Sequence, residues 1–283
     1  MVAAVFITAA LTHCINHLHK PENVPGIRVS FIDVGQGDAI LVQSGVCSML
    51  IDCGEEESAS DVIHTLKSHH IRHLDYVLGT HPHSDHMGAM ARILDAFETD
   101  EILVSPVPEE LVPEDAFYLN MLETARKKGI PITQVSAGQS FDIGSAKVEI
   151  LAPVVDGDDL NNCSVCTLIT LGEVSFLLTG DAETDEEQSM LDSGELSGVS
   201  VYKAGHHGSK TSSGEDFLEA IHPDAAVISC GVGNSFAHPR DETISRLMKY
   251  TDNIFRTDLC GTITIESDGS TFAVRTERSV YDN

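Results

Sequence analysis

Tryptophan is absent from this 283-residue chain and aromatics make up only 5 % of it, so its core must be packed from aliphatic side chains. Cations are scarce too: 17 Lys and Arg stand against 44 Asp and Glu, a formal net charge of −27. Nonspecific binding to DNA or RNA rests on Lys and Arg neutralising phosphates, so a diffuse negative field speaks against a general nucleic-acid binder. Solubility or a saline habitat is the simpler account of the acidity. Hydrophobic residues at 42 % and charged residues at 22 % are ordinary proportions, which excludes a disordered chain.

No disulfide framework is visible. The cysteines Cys14, Cys47, Cys53, Cys163, Cys166, Cys230 and Cys260 are odd in number and lack a compact repeated spacing, which favours a reducing, cytoplasmic setting. Cys163 and Cys166 form a lone C-x-x-C without the second pair of a Cys₄ zinc site, and read as two small residues entering a strand. Residues 1–15 are apolar but fall short of the roughly 20 residues of a membrane span. They also lack a basic n-region and a good cleavage site, and Leu11 to Cys14 is a poor lipoprotein box because of His13. Membrane association or export through this segment stays open beside a packed N-terminal extension. No fixed-period repeat is present. The segment Gly35 to Gly37 lacks the Lys-Ser/Thr ending of a phosphate loop and reads as a tight turn, with Asp38 fixing that turn in preference to doing chemistry.

What is present is one domain's worth of alternating strand and helix patterns. Polar and Pro/Gly-containing residues 19–26 set off an N-terminal segment and linker over 1–26, leaving a catalytic domain over 27–276 and a tail over 277–283. Strands are predicted over 28–33, 39–44 and 47–52, then a serine-capped helix over 58–67 with Ala59, Val62, Ile63 and Leu66 on one face. A strand over 74–79 runs into a histidine cluster. Strands interspersed with helices in both halves suit an α/β architecture of two sheets packed face to face with helices outside, an αββα sandwich.

The strongest chemical signal is His81-x-His83-x-Asp85-His86, directly after that apolar strand. Four metal-competent side chains within six residues, on a loop between strand and helix, let alternate residues face two adjacent sites. His81 and His83 suit one divalent ion, Asp85 and His86 the next. A second buried strand ends in Gly180 and Asp181, an acid that either bridges two metals or caps the following helix. The third piece is His206-His207-Gly-Ser209 at another strand end. One histidine completes the second metal's shell and the other contacts substrate or protonates the leaving group. The pattern leans to His206 as ligand and His207 as the outer group, with the reverse left open. Ser209 meets a phosphate oxygen or caps a helix.

Taken with Asp33 to Ala39, Leu50 to Gly54, Asn161 to Ser164 and Asn234 to Pro239, these motifs closely resemble the ComEC-like branch of the metallo-β-lactamase superfamily, in order over residues 27 to about 276. The resemblance implies the αββα metallo-β-lactamase fold, with the site at the edge where the sheets meet and Asp52 supporting the metal loop from behind. It implies Asn161 and Ser164 where many superfamily members carry a further histidine ligand, and a substrate-contacting or outer role for His238, which otherwise caps the next helix. Expected metal ligands are thus His81, His83, Asp85, His86, Asp181 and His206; expected catalytic groups are Asp85, His207, Asn161 and His238. Two divalent ions are implied, zinc first and manganese second, with hydrolysis by a metal-bridging hydroxide. Relatives point to phosphodiesters, so a phosphodiesterase or nuclease acting on a small phosphate ester or a nucleic acid is expected. Hydrolysis of a lactone, thioester or β-lactam, or a noncatalytic metal-binding role, are the alternatives. The chain lacks the many membrane helices of ComEC, so no channel is expected, and no protein partner is read from the sequence.

Overall fold

The computed structural model describes residues 22–153, 159–194 and 196–279; the expectation for the apolar residues 1–15 lies outside them. In chain order the strands are β1 (Val24–Phe31), β2 (Ile40–Gly45), β3 (Cys47–Ile51), β4 (His73–Gly79), β5 (Glu98–Val104), β6 (Ile132–Gln134) and β7 (Ser140–Ile143). There follow β8 (Ala146–Ala152), β9 (Cys166–Leu171), β10 (Val174–Leu178), β11 (Val201–Lys203), β12 (Ala225–Ile228), β13 (Ile254–Arg256), β14 (Ile263–Ser267) and β15 (Phe272–Thr276). They form an eight-stranded sheet, order β15-β14-β1-β2-β3-β4-β5-β6, and a seven-stranded sheet, order β13-β12-β11-β10-β9-β8-β7.

Strand alternation explains the layering. On β10, Phe176 and Leu178 enter the core between the sheets, while Leu177 faces the opposite way. On β3, Met49 and Ile51 face inward and Leu50 outward. Both faces of these strands are therefore covered, which is why they read as unbroken apolar runs. Helices Ala59–Ser68, Met90–Ala96 and Ala116–Lys128 cover the outer face of the first sheet. Helices Thr184–Asp192, Glu215–Ile221 and Asp241–Leu247 cover the second. Four layers, αββα, result. Among the described residues no helix is long and apolar enough to cross a membrane.

β1 opens at Val24, inside what pattern alone reads as linker. Pro25 and Gly26, which suggested a linker, sit where the register with β2 shifts between Val24 and Ile27. A bulge there absorbs the N–H that proline lacks. At its other edge β1 pairs antiparallel with β14, Val29 opposite Ile265, so the two ends of the described chain meet in one sheet. β3, β4 and β5 run parallel, as do β10, β11 and β12. The carboxyl ends of β3, β4, β10, β11 and β12 lead into Asp52, His81, Asp181, His207 and Ser229, one seam between the sheets.

Candidate functional site

Two nitrogen pairs and two carboxylates gather at this seam. His81 Nε2 and His83 Nδ1 stand 2.9 Å apart on the loop after β4. Beside them, Asp85, His86, Asp181 and His207 offer ligand atoms that all lie within 4.8 Å of one another. His86 Nε2 is 3.3 Å from Asp181 Oδ1, and His207 Nε2 is 3.4 Å from Asp181 Oδ2 and 3.3 Å from Asp85 Oδ2. Asp181 and Asp85 both act electrostatically on His81 and His83, so the two groups share one field. Buried His86 Nε2, His207 Nε2 and Asp181 Oδ1 have no hydrogen-bond partner among the described residues. Buried polar atoms are costly unless satisfied. Imidazole and carboxylate atoms converging this way are the donor set a divalent cation takes, so the residues fit one.

Three of the histidines are held from behind. His86 Nδ1 donates to Asp52 Oδ2 at 2.8 Å, while Thr80 N–H and Thr80 Oγ1–H donate to the same carboxylate at 2.8 and 2.7 Å. His207 Nδ1 meets the Ser229 carbonyl at 3.1 Å, and His81 Nδ1 meets Ser164 Oγ at 3.2 Å. Such bonds fix the tautomer with the other ring nitrogen turned to the site. Ser164 Oγ also accepts the Asp181 N–H at 3.0 Å, so one hydroxyl joins two loops of the second sheet to His81 on the first. Two glycines permit the close approach. A Cβ on Gly37 would lie 2.2 Å from the Asp85 carbonyl, and one on Gly180 would press on Ser164 and Thr80. Asp52, His206 and His207 have φ of 56°, 48° and 54°, the left-handed region, at a cost on the order of 1–3 kcal/mol each.

Electrostatics divide the histidines. Burial pulls His81 well below, and His83 below, the usual histidine range, so both are neutral donors. Burial also disfavours charge on His86 and His207, but it is outweighed by Asp181 together with Asp52 at His86 and with Asp85 and Asp38 at His207, raising His207 to about 9 and His86 well above normal. For Asp85, burial is overcome by the close approach of His207 and the charge on His86, leaving its carboxyl low.

The adjacent histidines differ from the lean of the sequence. His207, not His206, closes the cluster with Asp85, His86 and Asp181. His206 is half-buried: Nδ1 lies 3.1 Å from Glu183 Oε1 and Nε2 is 3.8 Å from Asp181 Oδ2. Consecutive left-handed residues turn the second ring inward and the first toward solvent, a geometry residue order does not encode. His238 packs edge-on against His206, centroids 5.5 Å apart, with its Nδ1 buried and unpartnered. Burial first, then His206, His207 and Arg240, lower it to about 4. Asn161 Oδ1 is buried with no hydrogen-bond partner among the described residues. Cys163 Sγ faces the Asp159 carbonyl at 3.4 Å.

Sequence reasoning missed three groups. Lys203 is fully buried with Nζ 2.6 Å from Asp38 Oδ2, so Asp38 is an ion-pair partner and not merely a turn former. Glu183 holds His206, and the Ser229 carbonyl holds His207. Lys203 carried a signal: alternation along β11 puts it on the same inter-sheet face as Val201.

Residues 32–232 match the family described as the metallo-beta-lactamase superfamily. ComE operon protein 3 of Bacillus subtilis (strain 168) is 33 % identical over 256 residues, covering 83 % of this chain and 32 % of that protein. Recombination protein 2 of Haemophilus influenzae is 30 % identical over 256 residues, covering 88 % and 30 %. The chain thus spans about a third of the length of these curated relatives. CmlA, a diiron β-hydroxylase from Streptomyces venezuelae, shares the fold with a TM-score of 0.59 at 14 % identity, over 86 % of this chain and 54 % of that one. The chain belongs to the metallo-beta-lactamase superfamily, and within it is similar to the ComEC-like competence proteins.

Proposed function

We propose that this chain is a dinuclear metal-dependent phosphodiesterase or nuclease. The observation that carries it is the buried cluster of Asp85, His86, Asp181 and His207, its unsatisfied atoms converging beside His81 and His83. His81 and His83 would hold one ion and Asp85, His86 and His207 the other, Asp181 joining both. Mixed imidazole and carboxylate donors suit zinc first and manganese second. When bound, two such ions would lower the pKa of water and offset charge on the attacking and leaving oxygens. Relatives named for competence and recombination favour a nucleic-acid phosphodiester among the ester classes.

The protein's own part is placement and proton delivery. Asp52, Ser164 and Ser229 hold the rings, and the seam excludes water from their back faces. His206 is the proton donor to the leaving oxygen: it is accessible, and Glu183, 3.1 Å from Nδ1, orients the ring with Nε2 on the side of Asp181. His238 shields its flank.

Paired variants test these roles. His207→Ala should lose one ion on elemental analysis and be partly rescued by excess metal, and Asp181→Ala should lose most of both. His206→Ala should keep both ions yet lose on the order of 10² to 10⁴ in turnover on esters with poor leaving groups, and far less on p-nitrophenyl esters. A reversed pattern between the histidines overturns the assignment. Hydrolysis of nitrocefin, with none of bis(p-nitrophenyl) phosphate or single-stranded DNA under Zn²⁺ or Mn²⁺, overturns the phosphodiester reading.

A further inference from the structure

Beside the centre, the segment between β12 and helix Asp241–Leu247 forms a closed loop over residues 231–239. Asn234 ties it together: Nδ2 donates to the Gly231 and His238 carbonyls at 2.9 and 2.6 Å, and Oδ1 accepts the His238 N–H at 3.0 Å. Its base is pinned to the turn that carries Asp38, where Gly231 N–H donates to Gln36 Oε1 at 3.3 Å. These bonds hold the loop's shape, yet the loop keeps Phe236 57 % exposed. Single exposed apolar residues are common and need no explanation by themselves. Phe236 differs in what lies behind it. Its ring stacks on His238, centroids 5.8 Å apart and planes 26° from parallel, and His238 meets His206 edge-on. A ladder of rings therefore runs from solvent to the proposed proton donor, and its outermost face meets no other ring among the described residues.

Charge points to the same kind of occupant. Arg240 is exposed and its charge acts on His238, yet it forms no salt bridge among the described residues. In a chain where 44 acids outnumber 17 bases, Arg240 places a cation at this mouth. A flat apolar face next to a cation, one step from a centre suited to phosphate, matches a base attached to its phosphate.

We propose that Phe236 is the stacking platform for an unpaired nucleobase adjoining the scissile phosphate, which makes the site selective for nucleoside phosphodiesters over simple esters. This rests on the phosphodiesterase reading above. Stacking tolerates any base, so selectivity falls on the presence of a base and not on its identity.

Two esters with one leaving group test it: thymidine 5′-(p-nitrophenyl phosphate) and methyl p-nitrophenyl phosphate, with the metal-loaded protein. Phe236→Ala should raise KM for the thymidine ester about 5- to 150-fold more than for the methyl ester, the span of one base stack, and Phe236→Trp should restore the difference. An equal change for both esters overturns the platform. Binding of 2-aminopurine nucleoside 5′-monophosphate, followed by fluorescence quenching, separates this outcome from failure of the phosphodiesterase reading. If neither ester is turned over, that reading falls, while quenching by the native protein that is lost in Phe236→Ala still supports the platform. Equal quenching by both, or none by the native protein, refutes it.

Discussion

Replacing Lys203 by methionine isolates the buried ion pair at the back of the site. Nζ lies 2.6 Å from Asp38 Oδ2 with side chains 0 % and 1 % exposed, and Nζ also donates to the Gly180 carbonyl at 3.3 Å. Burial alone would discharge the lysine, but Asp38 and Asp181 hold its pKa above normal, so it stays cationic. Apart from Lys203, neither oxygen of Asp38 has a hydrogen-bond donor among the described residues. Lys203→Met therefore strands a carboxylate in the core, at a cost of about 3–5 kcal/mol, or a fall in Tm of roughly 6 to 20 °C for a domain of this size. Adding Asp38→Leu removes the stranded charge and should recover more than half of that loss. Thermal and denaturant melts followed by circular dichroism, with chelator present so that metal binding does not contribute, measure it. A single variant within about 2 °C of the native protein, or a double variant no better than the single, would refute the ion-pair account.

Two other outcomes follow from groups behind the site. Asp52→Asn puts an amide donor against the donors of Thr80 and His86, and should weaken metal affinity about 10- to 100-fold by titration; affinity within twofold of native would remove Asp52 from that role. Burial raises Glu187 to about 7 despite N–H bonds from Ser213 and Gly214 at 2.5 and 2.8 Å. A raised carboxyl favours the folded state below its unfolded pKa near 4.5, and that contribution is lost as pH climbs through 7. Chemical melts at pH 4.5 and 8 should show Glu187→Gln losing about 3 kcal/mol less than native over that interval, and identical slopes would count against it.

The layering and the first half of the site were legible because they are local or periodic. His81 to His86 is contiguous, and alternation along β3 and β10 gives the two-faced burial directly. The missed parts depend on contacts distant in sequence or on backbone handedness. Lys203 and Asp38 meet from opposite sheets, 165 residues apart in sequence. The exchange between His206 and His207 depends on two left-handed φ values, at 48° and 54°, which nothing in His-His-Gly announces. The early start of β1 was hidden because a proline and a glycine serve equally well in a linker and in a bulge.

The pairing of β1 with β14 sets the order of events on the ribosome. β1 is made among the first strands, but its second neighbour leaves the exit tunnel only after β2 through β13. Until then the edge through Val29 and Phe31 offers free N–H and C=O groups beside apolar side chains, a template for strands of other nascent chains. A chain released before Ile263 keeps that edge permanently, so a late truncation far from the candidate metal cluster would leave an aggregating product with every residue of that cluster still present.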